Sequence, residues 1–139
     1  MIHIGIDPGV KTGFAVWDSE KQEFLEISTC TITEAMNRVI IHRNMALVSG
    51  KELMLHIEDA RLRKWYGNSG REKLQGAGSV KRDSKIWEDF CKENDIEYRM
   101  VAPKNNRTKV SKEYFTKITG WTKQTTDHAR DAAMMVFGI

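Results

Sequence analysis

The chain has 139 residues, of which 40% are hydrophobic and 29% are charged, and its formal net charge is +3. These values are typical of one soluble folded domain covering residues 1–139 and exclude a disordered chain. The two cysteines lie far apart without a metal-binding spacing, and no uncharged run reaches the length of a membrane span. We therefore expect reduced thiols, no membrane association and a cytoplasmic location.

The first thirty residues predict an antiparallel meander of three strands. Residues 2–6 alternate and are β-branched, and a DPG turn signal follows them directly. Residues 13–18 and 23–29 predict two further strands, which a polar turn joins. Asp7 is therefore expected at the end of the first strand.

The rest of the chain predicts helices that alternate with strands. In chain order these are a helix that Thr33 caps and Gly50 ends, a strand at 53–59, a helix from about Gly78 to Asn94, a strand at 96–101, a short helix at 111–119 and a last helix that begins within 125–135. This order predicts a mixed five-stranded α/β sheet, an antiparallel meander plus parallel strands, with helices on its faces. The connection at 60–77 is predicted as a long loop, and a loop of that length is usually functional or flexible.

Acidic residues collect where these predicted elements begin or end. Asp7 ends the first strand and Glu58 ends the fourth, and chemistry in parallel α/β sheets gathers outside the carboxyl ends of strands. Asp127, His128 and Asp131 lie in the first turns of the last helix, where residues three or four apart share a face. The sequence therefore predicts that these groups meet, although they lie far apart along the chain.

Helix capping explains only part of the group formed by Asp127, His128 and Asp131. Thr125, Thr126 or Asp127 is expected to cap the helix, where an acid also meets the positive end of the helix dipole. Asp131 lies one turn further in and needs another explanation. Carboxylates brought together repel unless a cation or protons neutralise them, and oxygen donors suit Mg²⁺ or Mn²⁺. Two such ions in one site catalyse displacement at phosphorus, so we expect a nuclease or phosphoryl-transfer site.

Basic and aromatic residues follow Glu58. Residues 61–85 carry eight basic side chains against two acidic ones, and aromatic groups among cations can stack on unpaired bases. A second basic cluster follows the fifth predicted strand. The alternative is a solvated loop with two packed aromatics. The residues expected to contact nucleic acid are Arg61, Arg63, Lys64, Trp65, Tyr66, Lys81, Arg82, Lys104, Arg107, Lys109 and Lys112.

Five motifs give the chain a resemblance to the RuvC family of Holliday junction resolvases, within the RNase H-like superfamily. IGIDPGVKTGFAV is similar to the family's opening strand, acid and hairpin, and LHIED to its strand-end glutamate. LQGAGSV, EYRMVAPKNNRTKVSK and HARDAAMM resemble the entry to its long helix, its next strand with the basic segment, and its closing helix. The resemblance implies an RNase H-like fold and a homodimer that nicks four-way DNA junctions symmetrically with Mg²⁺ or Mn²⁺. It also implies that Arg107, Lys109 and Lys112 lie near the scissile phosphate.

The same resemblance implies a catalytic set that binds the metal. Its members would be Asp7, Glu58, His128 and Asp131, with Asp127 as helix cap or auxiliary acid. The residues alone leave open that Asp127 and Asp131 form the pair instead. His128 would be either a metal ligand or a proton shuttle, since a histidine pKa lies near working pH.

Three other functions share part of this pattern. One is a broader nuclease of the RNase H-like superfamily that acts on RNA or on branched DNA of many kinds. Another is an actin-like ATPase, but such a protein needs a second subdomain for which this chain is too short. The third is a nucleic-acid binding module without activity, and such a module would be free to lose the four expected ligands.

Overall fold

Strands and helices follow one another largely as the sequence predicts. The computed structural model describes residues 1–62, 71–103 and 109–139, except for the side chains of residues 71–77 and 80. In chain order the elements are β1 (Ile2–Asp7), β2 (Thr12–Asp18), β3 (Glu23–Cys30), α1 (Ile32–Val48), β4 (Leu53–Glu58), a 3₁₀ turn (Ala60–Leu62), α2 (Arg71–Glu93), β5 (Tyr98–Val101), α3 (Lys112–Thr119) and α4 (Asp127–Val136).

The five strands form one mixed sheet in the order β3-β2-β1-β4-β5. β1 pairs antiparallel with β2, which pairs antiparallel with β3, and the parallel portion joins β1 to β4 and β4 to β5. The predicted fold class is confirmed, and the layout is consistent with an RNase H-like sheet. Among the helices of the described ranges, none combines the length and the apolar character needed to cross a bilayer.

The two faces of the sheet hold separate apolar clusters, because side chains alternate along each strand. On one face Ile4 and Ile6 of β1 are fully buried against Val39 of α1 and Trp87 of α2. On the other face β2, α3 and α4 share a cluster that includes Trp17. His3, Gly5 and Asp7 point to this second face, so α4 covers the side of the sheet that carries the predicted acids.

α4 lies directly on the sheet because two strand residues have no side chain. A Cβ atom added to Gly5 would lie 2.1 Å from the carbonyl oxygen of Ala132, and one added to Gly13 would lie 1.9 Å from that of His128. Glycine within a strand often marks a close approach of another backbone. Gly13 is also the ladder partner of Asp7. The first turn of α4 is therefore held over the carboxyl end of β1.

The prediction of a loop at residues 60–77 is wrong at both ends of that range. Ala60–Leu62 form a 3₁₀ turn, and α2 begins at Arg71 and not near Gly78. Glycine disfavours a helix interior by about 1 kcal/mol relative to alanine, which is why the local sequence predicts the later start. Burial of Trp87 further along fixes the helix on the sheet, and adding turns to an existing helix costs little. Residues 63–70 lie outside the described part of the chain.

The cap of α1 differs from its predicted position, whereas the cap of α4 is one of its three predicted candidates. α1 is capped by Thr31 and not by Thr33, because the Thr31 hydroxyl accepts from the Glu34 amide while the Glu34 carboxylate accepts from the Thr31 amide. α4 is capped by Thr126, whose hydroxyl accepts from the backbone N–H of Ala129 at 3.2 Å. Asp127 is thus the first helical residue, and its carboxylate is not needed as a cap.

A buried histidine pair lies below the acids on the same face of the sheet. Nδ1 of His3 and Nε2 of His56 are 2.9 Å apart, and both rings are buried. Burial is the main cause that lowers the pKa of His56 to about 4, and burial also lowers the pKa of His3. Both rings are therefore neutral at pH 7.

We expect this pair to make the folded state sensitive to mild acid. Between pH 6.5 and about 4 the unfolded chain protonates His56 while the folded chain does not, so stability falls as the pH is lowered through this window. The expected loss is about 2 kcal/mol. Urea denaturation of the wild type and His56→Gln at pH 7 and pH 4.5 measures it, and the wild type should lose more stability than the variant. Equal losses in the two proteins would contradict the assignment.

Candidate active site

Asp7 and Glu58 end neighbouring parallel strands, as predicted. Ile6 lies beside Ile57 in the β1–β4 ladder, and each acid is the next residue along its strand. Neighbouring strands are about 4.8 Å apart, and both acids follow the side-chain alternation onto the α4 face. The Ser84 hydroxyl of α2 donates to the Glu58 carbonyl oxygen at 3.2 Å, which attaches α2 to this end of β4.

His128 makes the contact that joins α4 to β1 at this edge of the sheet. Its Nδ1 lies 3.0 Å from Oδ2 of Asp7, although 121 positions separate the two residues in the chain. The His128 side chain is half exposed, whereas that of Asp7 is largely buried. The close seat of α4 on Gly13 brings the imidazole to the carboxylate.

Asp131 adds a second carboxylate one turn further along α4. Burial is the main reason that the pKa of Asp7 is raised, and the nearby charge of Asp131 raises it further. Burial likewise raises the pKa of Asp131. The charge of Lys109 lowers the pKa of both acids, and the hydrogen bond from His128 lowers the pKa of Asp7. The site therefore holds two interacting acids whose burial disfavours their ionised forms, with a cation beside them.

Asp127 lies next to these groups in sequence but pairs elsewhere. Its Oδ1 accepts from Nη2 of Arg130, and its side chain is 54% exposed. Arg130 also donates through Nε to the Val110 carbonyl oxygen and through Nη1 to that of Thr125, each at 2.9 Å. The sequence gives only one signal for the role of Arg130, its favourable three-residue spacing from Asp127, and Arg130 was not among the predicted site residues. His128 thus contacts Asp7 and Asp127 pairs with Arg130, while the charge of Asp127 still raises the pKa of Asp131.

The donor set has the chemistry that Mg²⁺ and Mn²⁺ prefer. Asp7, Glu58 and Asp131 offer carboxylate oxygens, and His128 offers one imidazole nitrogen. Burial raises the pKa of Asp7 and of Asp131, and an added cation would stabilise the ionised form of both acids. As the side chains stand, the described residues contain no group of three or more His, Cys, Asp or Glu that could hold a metal ion. These residues therefore fit a divalent ion by the type of their donor atoms and by their location in the fold.

Arg61, predicted as a nucleic-acid contact, holds a buried acid. It donates through Nε to Oδ1 of Asp59 at 2.8 Å and through Nη2 to Oδ2 at 2.7 Å, and Asp59 is only 3% exposed. Burial alone would raise the pKa of Asp59, but the hydrogen bonds from Arg61 outweigh it and the pKa is lowered. Nη1 of Arg61 also lies 3.4 Å from Oε1 of Glu88 on α2. The guanidinium therefore ties the segment after β4 to α2.

Replacing Arg61 should destabilise the fold. Arg61→Gln leaves the buried Asp59 carboxylate without its ion-pair partner, and we expect the free energy of unfolding to fall by about 2 kcal/mol. Arg82→Gln removes the same charge from an exposed position of α2 and should change stability by less than about 0.5 kcal/mol. Urea denaturation at pH 7 compares the two variants. Matching midpoints would show that the Asp59 pair adds nothing to stability.

The other predicted nucleic-acid contacts divide into two groups. Lys81 and Arg82 lie on α2, Lys109 lies just before α3, and Lys112 is the first residue of α3. The remaining predicted contacts lie outside the described residues, and these are Arg63, Lys64, Trp65, Tyr66, Lys104 and Arg107.

Comparison of the chain with models of known protein families finds no match. Comparison with curated proteins likewise finds no significant match.

Proposed function

We propose that the chain is a structure-selective DNA endonuclease that resolves four-way junctions by symmetric, metal-dependent hydrolysis of phosphodiester bonds. The observation that supports this most is the hydrogen bond between His128 and Asp7 at the carboxyl end of β1, with Asp131 close enough for its charge to raise the pKa of Asp7 and with Glu58 ending the neighbouring strand. Acids at such strand ends suit catalysis of phosphoryl transfer. The RuvC-like motifs support the choice of a DNA junction as substrate.

The three carboxylates would hold the divalent ions. Asp7, Glu58 and Asp131 are the candidate ligands for Mg²⁺ or Mn²⁺, with two ions expected per site. When bound, such ions activate a water molecule and stabilise the leaving oxygen of an in-line displacement.

His128 has a role that follows from its bond to Asp7. An ionised carboxylate can only accept, so Nδ1 donates and Nε2 of the neutral ring keeps a free lone pair. Asp7 thereby fixes the tautomer and the orientation of the ring. His128 would use Nε2 either as a metal ligand or to accept a proton during the reaction.

Lys109 supplies a positive charge beside the acids. Its side chain is exposed, and its charge lowers the pKa of both Asp7 and Asp131. An exposed ammonium group at this place would bind an oxygen of the phosphate to be cleaved and hold it against the acids. Lys112, Lys81 and Arg82 would contact phosphates further away and add affinity that depends on salt but not on sequence.

A homodimer would suit the symmetry of the substrate. Two copies related by a two-fold axis present two equivalent sites, and a four-way junction has two strands of like polarity to be cut. Each protomer would then make one nick.

The test is cleavage of an immobile four-way DNA junction in Mg²⁺ or Mn²⁺, with linear duplex, a replication fork and an RNA–DNA hybrid of matched sequence alongside. We expect paired nicks in opposite arms of the junction that leave ligatable 5′-phosphate ends, and little cleavage of the linear duplex. Equal cleavage of the fork or the hybrid would make the protein a broader nuclease of the superfamily. Binding without cleavage of any substrate would make it a binding module.

A further inference from the structure

A second basic and aromatic surface extends away from the candidate site along α3. We name it the α3 surface and define it by Tyr114, Lys117, Trp121 and Lys123. Residues 109–126 hold four lysines and only one acidic residue, Glu113. The net positive charge of this segment exceeds what a balanced solvated helix carries, and it favours a polyanionic partner.

Packing of α3 decides which side chains face outward. Phe115 is 1% exposed and packs against Phe24 of β3, with the ring centroids 6.2 Å apart. Tyr114 and Lys117 are exposed, and they lie three residues apart, so they are neighbours on the solvent side of the helix. Tyr114 is 55% exposed. A large aromatic ring thus stands in solvent beside a cation.

The segment after α3 carries the same combination. Nζ of Lys123 lies 5.3 Å from the ring centroid of Trp121, a cation–π arrangement. Trp121 is in turn packed edge-on against Phe24, with centroids 6.3 Å apart. This contact holds the Lys123 charge near the fold and close to the end of α3, which Gly120 terminates with a φ of 75°.

The α3 surface is continuous with the candidate site. The charge of Lys109 lowers the pKa of Asp7 and of Asp131. The next residue, Val110, accepts the hydrogen bond from Arg130 of α4. α3 starts two residues later and, with eight residues, is about 12 Å long. That length matches a few nucleotides of one strand.

We propose that the α3 surface binds single-stranded DNA that leaves the candidate active site, with lysines on its phosphates and Tyr114 stacked on an unpaired base. Exposed aromatic rings among cations are what proteins use to hold unpaired strands, because every base has a face on which to stack. A duplex would use the lysines but would leave the Tyr114 ring without a base face. The inference deepens the proposed function by identifying where a strand of the branched substrate runs.

Binding of a fluorescent oligothymidine of about 15 nucleotides, measured by anisotropy in EDTA, tests the inference without cleavage. We expect Tyr114→Ala to weaken binding about tenfold and Tyr114→Phe to weaken it less than twofold. The double variant Lys117→Ala/Lys123→Ala should lower the slope of log affinity against log salt by about 1.4, since each lysine releases counterions from one phosphate. Lys92→Ala is the control, because Lys92 is exposed but lies on α2, which packs on the other face of the sheet.

Equal affinity of Tyr114→Ala and the wild type, or an unchanged salt slope in the double lysine variant, would overturn the inference. So would a Tyr114→Ala defect that is the same for a linear duplex of equal length. Thermal melting of each variant excludes unfolding as the cause. The outcome can be told apart from that of the cleavage test. If these variants lose binding but the wild-type protein cuts no junction, the α3 surface is supported and the proposal of a resolvase is wrong.

Discussion

Asp7→Asn and Asp131→Asn should each slow junction cleavage about a thousandfold, whereas Asp127→Asn should slow it less than about tenfold. All three substitutions keep the size of the side chain and remove one negative charge. The charge of Asp131 raises the pKa of Asp7 at the strand end. The carboxylate of Asp127 is instead paired with Arg130. Single-turnover rates in saturating Mg²⁺ on one junction sequence give the comparison directly.

Stability separates loss of catalysis from loss of fold in the same variants. Burial raises the pKa of both Asp7 and Asp131, so each ionised carboxylate is less stable in the folded chain than in the unfolded one, and a neutral amide removes this cost. Thermal unfolding of Asp131→Asn should therefore occur at the wild-type temperature or above it. A catalytic site that reduces stability in this way is a common trade-off in enzymes.

The outcome also decides between the two carboxylate pairs that the residues alone leave open. If Asp127→Asn is as inactive as Asp131→Asn while Asp7→Asn remains active, the pair is Asp127 and Asp131, and the bond from His128 to Asp7 has only a structural role. If none of the three slows cleavage, the proposed site is wrong.

The strands and their terminal acids could be predicted because their signals are local. Alternating β-branched residues before a DPG turn predicted β1 and placed Asp7 at its end, and LMLHIED did the same for β4 and Glu58. Local signals also predicted α3, where the Ser111 hydroxyl caps the first turn. In each case a few neighbouring residues decide the conformation.

What the sequence could not predict depends on contacts between distant residues. The start of α2 follows from packing of its later turns, which outweighs the glycines near its beginning. The pairing of Arg61 with Asp59 shows that a residue predicted to contact nucleic acid also supports the fold. A strand glycine signals a close neighbour, but no pattern in the sequence identifies that neighbour as α4.

A side chain added at Gly13 should disturb the direct packing of α4 on β2. Gly13→Ala should lower the free energy of unfolding by about 3 kcal/mol or more, because its Cβ atom would lie 1.9 Å from a backbone oxygen that cannot rotate away. Any fold that survives must lift the first turn of α4 and separate His128 from Asp7. Since a displacement of about 1 Å in an active site can cost about a hundredfold in rate, cleavage by the folded fraction should fall as well.

Gly78→Ala is the control for this prediction, because it makes the same chemical change where no atom of the described residues outside the helix's own backbone lies within 4 Å of the added Cβ atom. Gly78 is inside α2, so alanine should raise the free energy of unfolding by about 0.5–1 kcal/mol. Opposite signs at the two positions, measured by urea denaturation, would show that the effect at Gly13 comes from contact with α4 and not from the loss of glycine. A stable Gly13→Ala protein with wild-type cleavage would mean that α4 does not lie on β2 at this distance, and the geometry that brings His128 to Asp7 would fail with it.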